Sequence, residues 1–152
     1  MEKKDKNSQP KKPLSHNALR LTFEYDRDKI RLVNRHSVNM IVPPPTTTPL
    51  TEKHSGFWIE IKDSEGKVLF SRVEYNPIQY DTEIFLGTAN KNIVRRPILH
   101  PQGTFVLLVP DLPEAESIDL VSSPLDAKRA HEPAKKLASF ALKEKRQKGD
   151  TP

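Results

Sequence analysis

The stretch Phe57–Tyr75, FWIEIKDSEGKVLFSRVEY, decides the fold. Its two halves are made of strand-forming residues, and Asp63-Ser64-Glu65-Gly66 between them suits a type I turn closed by a glycine in the left-handed conformation. That closure sets Lys62 opposite Val68, Ile61 opposite Leu69, Ile59 opposite Ser71 and Phe57 opposite Val73. One face of the hairpin is then Phe57, Ile59, Ile61, Leu69 and Val73, with Tyr75 at its end. The other face carries Trp58, Glu60, Lys62, Val68, Phe70, Arg72 and Glu74. A slip of one residue would mix the two sets, so the apolar face argues for this register.

Working outward, Leu19, Leu21, Phe23 and Tyr25 alternate with Arg20, Thr22 and Glu24, the pattern of a half-buried strand. A turn at Asp26–Lys29 leads into a second strand, pairing Tyr25 with Ile30 and Phe23 with Leu32. Asn34 and His36 fall on the core side of that pairing, so the strand bends or bulges near them or reaches the end of the sheet. Prolines 43, 44, 45 and 49 stop the strand and form an extended crossover toward a second sheet. Beyond the hairpin, Thr82–Leu86 reads as a short strand. Residues 87–100 read as a loop holding a short strand near Asn92–Arg95. Gly103–Val109 is apolar on both faces, which suits a central strand. Ser117–Ser122 points Ile118 and Leu120 inward. The segment near 134–142 has helical spacing in Leu137, Phe140 and Ala141 and strand spacing in Ala138, Phe140 and Leu142. A sandwich closes with a final strand, and Ser139–Leu142 is read as one. Short strands with turns every ten to fifteen residues give an all-β, immunoglobulin-like two-sheet antiparallel sandwich.

Composition sets the limits of that domain. Fourteen prolines against five glycines, with 35% apolar and 30% charged residues, imply irregular segments around a compact region. Residues 1–17 carry a net charge of +3 and residues 126–152 a net charge of +4, leaving 18–125 at −2. The basic balance therefore belongs to the ends. The expected organisation is a disordered basic arm at 1–16, a β-sandwich domain at 17–142 and a disordered charged tail at 143–152. Without cysteine, disulfides and thiolate chemistry are excluded. No apolar run follows Met1 and none reaches the length of a membrane span, so a cytoplasmic protein with no membrane partner is expected.

Three segments carry a resemblance. Leu19-Arg20-Leu21-Thr22-Phe23-Glu24-Tyr25, Gly56-Phe57-Trp58 and Val109-Pro110-Asp111-Leu112-Pro113-Glu114-Ala115 together resemble a small bacterial β-sandwich domain of unassigned role. That domain is similar to the non-catalytic N-terminal module of the M64 class of metallopeptidases. The resemblance implies a sandwich fold and no catalytic residue.

The residues themselves assemble no catalytic motif. Five histidines, at 16, 36, 54, 100 and 131, are scattered one to a segment. His131-Glu132 begins like a zinc-protease helix, but Lys135 stands where the second histidine would be. There is no Gly-x-Ser-x-Gly elbow and no glycine-rich phosphate loop. The reading is a non-enzymatic module with no catalytic residue, no cofactor and no metal. Its function is protein–protein binding, by a partner or by self-association, or a structural role in a larger assembly. The predicted contact is the outer face of the hairpin, where Trp58, Phe70 and Arg72 form an amphipathic patch with Glu60 at its rim. The alternative is an accessory nucleic-acid binder acting through the basic tails.

Overall fold

The structure, a computed structural model, describes residues 17–87, 92–124, 127–129 and 131–143. The arms expected at 1–16 and 143–152 lie, apart from Lys143, outside the described residues. Lys143 itself is tied to Glu116 at 2.5 Å.

Every strand pairing among the described residues is antiparallel. The strands are β1 (Asn17–Asp26), β2 (Lys29–Asn39), β3 (Phe57–Lys62), β4 (Val68–Glu74), β5 (Asp81–Leu86), β6 (Asn92–Pro97), β7 (Gln102–Pro110), β8 (Ser117–Ser122) and β9 (Lys135–Ala141), with a short 3-10 turn at Ala127–Arg129. One sheet has the order β2-β1-β7 and the other β4-β3-β8-β9, while β5 and β6 form a two-stranded sheet by themselves. The second sheet, hairpin and returning hairpin side by side, has the order of one sheet of an immunoglobulin-like sandwich. In the first sheet the opening strand lies in the middle, where the immunoglobulin order places it at an edge.

The two sheets face each other across Leu19, Leu21 and Phe23 of β1, Phe57, Ile59 and Ile61 of β3, and Ile118 and Leu120 of β8, all buried. Phe23 stacks on Phe105 of β7 at 5.0 Å and meets Phe140 of β9 at 5.3 Å, so three strands interlock through their rings. Phe140 and Ala138 pair with Ile118 and Leu120, and Phe140 packs on the core, so the last segment is a strand longer than expected. Ser117–Ser122 also turns Ile118 and Leu120 inward as read from the sequence.

Bulges set the faces. In β2 the register shifts between Thr22 and Phe23, leaving Val33 as the extra residue. Tyr25 pairs with Ile30 and Phe23 with Leu32 as predicted, and the shift then turns Asn34 and His36 to the outer side. The turn of the β3–β4 hairpin is also as predicted: Gly66 has φ 81°, and Asp63 Oδ1 accepts from the amides of Glu65 and Lys67, each at 2.9 Å. A second shift, between Ile61 and Lys62, alters the pairing along the rest of the hairpin. Lys62 pairs with Val68, but Ile61 pairs with Phe70, Ile59 with Arg72 and Trp58 with Val73. Leu69 is the extra residue. Val68-Leu69-Phe70 are three consecutive apolar residues, and the bulge lets both Leu69 and Phe70 pack on the core.

The sequence reading of β7 as a central strand is overturned. It is an edge strand, and Val106 on its outer side is 45% exposed. Its inner side carries Phe105, Leu107 and Val109 into the core, so apolarity on both faces does not mark coverage on both faces here. The proline crossover runs as expected to the second sheet. Thr46 lies along the edge of β4, its amide donating to the Ser71 carbonyl and its hydroxyl accepting from the Val73 amide, both at 2.9 Å. That edge is thereby capped.

Candidate functional site

The predicted outer patch does not form. The bulge at Leu69 puts Phe70 and Arg72 on the inner side of the sheet while Trp58 stays on the outer side, so the rings never share a face. All three are buried, Trp58 at 2% exposure, Arg72 at 8% and Phe70 at 9%. Phe70 belongs to the core. Arg72 lies over the Phe70 ring, its carbon 5.6 Å from the centroid, and reaches out from the sheet interior to polar partners. Its Nε donates to Glu74 at 2.6 Å, Nη1 to the Pro43 carbonyl at 3.2 Å and Nη2 to the Leu108 carbonyl at 2.9 Å. These bonds join the crossover, β4 and β7, a structural role.

Trp58 is covered from within the chain. His54 meets its ring edge-on at 5.8 Å, and its Nε1 donates to Glu60 at 3.1 Å. Glu60 also takes the Lys62 ammonium at 3.2 Å, so it is an internal partner. Beside them on β8, the carboxylate of Asp119 is buried yet fully engaged. It accepts from Lys62 at 2.8 Å and from the Ser139 hydroxyl at 2.5 Å, with Lys136 at 3.5 Å. Burial pushes the Asp119 carboxyl up, but the hydrogen bonds from Lys62 and Ser139 and the charges of Lys62 and Lys136 outweigh it and hold it below the usual range. The bond to Asp119 likewise raises Lys62 against the lowering effect of burial. In this cluster the Ser139 hydroxyl donates to a carboxylate already claimed by Lys62, an arrangement that fixes β3, β8 and β9 to one another. Among the described residues no group of three or more His, Asp or Glu side chains is placed to hold a metal ion.

The chemistry-bearing surface lies elsewhere, at β5–β6. The chain leaves β4 through Asn76, whose side chain accepts from the Ile78 amide at 2.9 Å, and Ile78 is buried. Thr82 pairs with Arg96, Ile84 with Val94 and Phe85 with Ile93, so the short strand read near Asn92–Arg95 is present, runs on to Pro97 and forms a hairpin with β5. Neither strand lies beside a strand of the sandwich. The hairpin is held at its base. The Gln79 amide donates to the Tyr25 hydroxyl at 3.4 Å, Ile98 N to the Tyr80 carbonyl at 2.8 Å, and Arg27 N to the Pro101 carbonyl at 2.6 Å. Burial, with smaller contributions from Asp28 and Tyr25, raises the Tyr80 phenol above its ordinary range.

Both faces of the hairpin are apolar in its outer half. Phe85 is 73% exposed and its cross-strand neighbour Ile93 52%; on the other face Leu86 and Val94 are exposed beside Ile84. A two-stranded hairpin is marginal on its own and gains stability from a layer laid against it. Toward the base, the Phe85–Ile93 face turns polar, with Glu83 bound to Arg95 at 3.1 Å. The same face then becomes one wall of a cleft of about 590 Å³, where Asp81, Arg95 and Pro97 look across at Arg129, Lys135 and Leu137. Arg129 is held by Glu132 through two bonds of 2.9 and 2.8 Å.

Sequence reasoning missed Phe85, Ile93 and Arg95 as surface residues of interest. The available signal was two short runs, Ile84-Phe85-Leu86 and Ile93-Val94, each apolar on consecutive positions and separated by a turn-length segment starting at Gly87. No helix of the described residues is long and apolar enough to cross a membrane. No protein family, curated protein or solved structure matches this chain.

Proposed function

We propose that the chain is a non-enzymatic β-sandwich module that binds another protein through the β5–β6 hairpin. The observation that carries this is the hairpin itself: it stands apart from both sheets with Phe85 and Ile93 exposed on one face and Leu86 and Val94 on the other. Exposed apolar surface concentrated on one projecting element marks an interaction site, whereas single exposed apolar residues elsewhere do not. A strand pair with free edges also offers main-chain pairing to a partner strand.

The test is affinity capture from cell extract with the intact chain and with Phe85→Ser/Ile93→Ser. The expected result is a protein retained by the wild type and lost with the variant, while the two melt within about 3 °C of each other, since both side chains lie outside the core. Equal retention by both chains would sink the reading.

A further inference from the structure

We infer that the cleft at the base of β5–β6 seats an extended acidic segment of the partner protein, with acidic and apolar residues taking turns among the side chains that face β6. This rests on the hairpin being the binding element, and it names what the hairpin binds.

Three cationic side chains from three separate elements converge on the cleft: Arg95 from β6, Arg129 from the 3-10 turn and Lys135 from β9. Among the described residues, Asp81 is the one carboxylate lining it. Each arginine is steadied by a surface carboxylate, Arg95 by Glu83 and Arg129 by Glu132. Exposed pairs of this kind contribute roughly 0–1 kcal/mol, so an incoming carboxylate can share or displace them at little cost. Guanidinium groups present a fork that matches a carboxylate in two bonds.

The apolar part of the cleft fixes the form of the ligand. Pro97 and Arg95 line the cleft, and Ile93 continues their face of β6 beyond it at the two-residue repeat of a strand, roughly 7 Å. An extended peptide presents its own like-facing side chains at that repeat, so apolar residues would meet Pro97 and Ile93 and acidic ones would meet Arg95. Leu137, the extra residue of a bulge in β9, supplies apolar surface on the opposite wall. A volume of about 590 Å³ accommodates a few side chains and not a folded element.

The chain's own ends do not suit the site. Residues 1–16 carry five lysines against two acids, and 144–152 carry three basic residues against two acids. Both would meet the cleft cations with like charge. The complementary occupant is foreign and acidic.

The experiment is fluorescence anisotropy with the intact chain and three labelled probes. They are a ten-residue peptide Val-Thr-Glu-Thr-Val-Thr-Glu-Thr-Val-Thr, whose like-facing side chains alternate Val and Glu, the same peptide with Lys for Glu, and a ten-nucleotide oligothymidylate. The acidic peptide is expected to bind saturably, with amide shift changes at Arg95 and Leu137 in NMR spectra of the complex. Arg129→Glu/Lys135→Glu should weaken it by about tenfold or more, as charge reversal does to a complementary contact. Absence of saturation, equal binding of the Lys peptide, stronger binding of the oligonucleotide, or shifts confined to residues outside the cleft would each overturn the inference. The shift map decides the matter even if the double variant misfolds. Should the acidic peptide fail while Phe85→Ser/Ile93→Ser still loses a captured protein, the ligand assignment falls and the hairpin reading stands.

Discussion

The Nη2 of Arg72 donates to the Leu108 carbonyl across 2.9 Å, and this bond joins the edge strand of one sheet to the edge strand of the other. The same guanidinium binds the Pro43 carbonyl and Glu74, so a single side chain pins the crossover and both edges. An arginine read from the sequence as a surface contact is thus a buried fastening of the sandwich.

Replacing it should therefore cost stability. Arg72→Ala leaves the carbonyls of Pro43 and Leu108 and the Glu74 carboxylate without this donor, and a loss of about 2–4 kcal/mol is expected. In a domain of this size that lowers the melting temperature by roughly 3–5 °C per kcal/mol. Arg72→Lys should recover little, because an ammonium on a flexible stem does not reproduce three donors in a fixed fork. Calorimetry of the two variants checks this; an Arg72→Ala melt equal to wild type would refute the fastening.

Trp58 is the only tryptophan, so its emission reports one site. With 2% of its surface exposed, the indole should emit at a blue-shifted wavelength and resist quenching by acrylamide until the domain unfolds. Trp58→Ala should destabilise by about 3–5 kcal/mol, the range for removing a large buried ring. A red-shifted, readily quenched signal from the folded chain would contradict the packing described.

The Asp119 cluster predicts a pH dependence with a definite sign. Its carboxyl is held below the unfolded value, so the stability it contributes is complete above about pH 4 and is lost as pH falls through the lower folded value. Lys62 is raised, so its contribution is complete below about pH 10 and is lost as pH rises through the folded value. Urea unfolding across the acid range, from strongly acidic to neutral buffer, should show a slope at the acid end that Asp119→Asn flattens. An unchanged slope in that variant would remove Asp119 as its source.

Gly103 faces Tyr25 across β1 and β7, and a Cβ added there would lie 2.6 Å from the tyrosine oxygen and 2.8 Å from its ring carbons. The ring is buried and its hydroxyl accepts from the Gln79 amide, so it cannot swing aside without releasing the base of the hairpin. Gly103→Ala should cost about 1–3 kcal/mol, with hydrogen exchange accelerated around Gln79 before the global transition. Wild-type exchange there would show that the ring yields freely.

Local chemistry was legible wherever one stretch of chain decided it. The alternation of Leu19, Leu21, Phe23 and Tyr25, the Asp63–Gly66 turn and the proline crossover all stand in the structure as their residues dictated. So does the bulge that Asn34 and His36 demanded, because two polar groups on a core face are costly enough to bend a strand. The Leu69 bulge was less visible: Val68-Leu69-Phe70 admits either register when the hairpin is considered alone.

By itself, then, the sequence determined an all-β chain, its turns and most residues of its core, since strand periodicity and turn geometry are set by neighbours along the backbone. Tertiary structure decided which side each residue of β4 faces, because carbonyls of Pro43 and Leu108, distant in sequence, give Arg72 its inward partners. It decided as well that β7 lies at an edge and that β5–β6 stands free, for strand order depends on which sheets meet across the core. The exposed surface is left over from that choice, which is why the proposed binding element emerged from the fold and not from the pattern of residues.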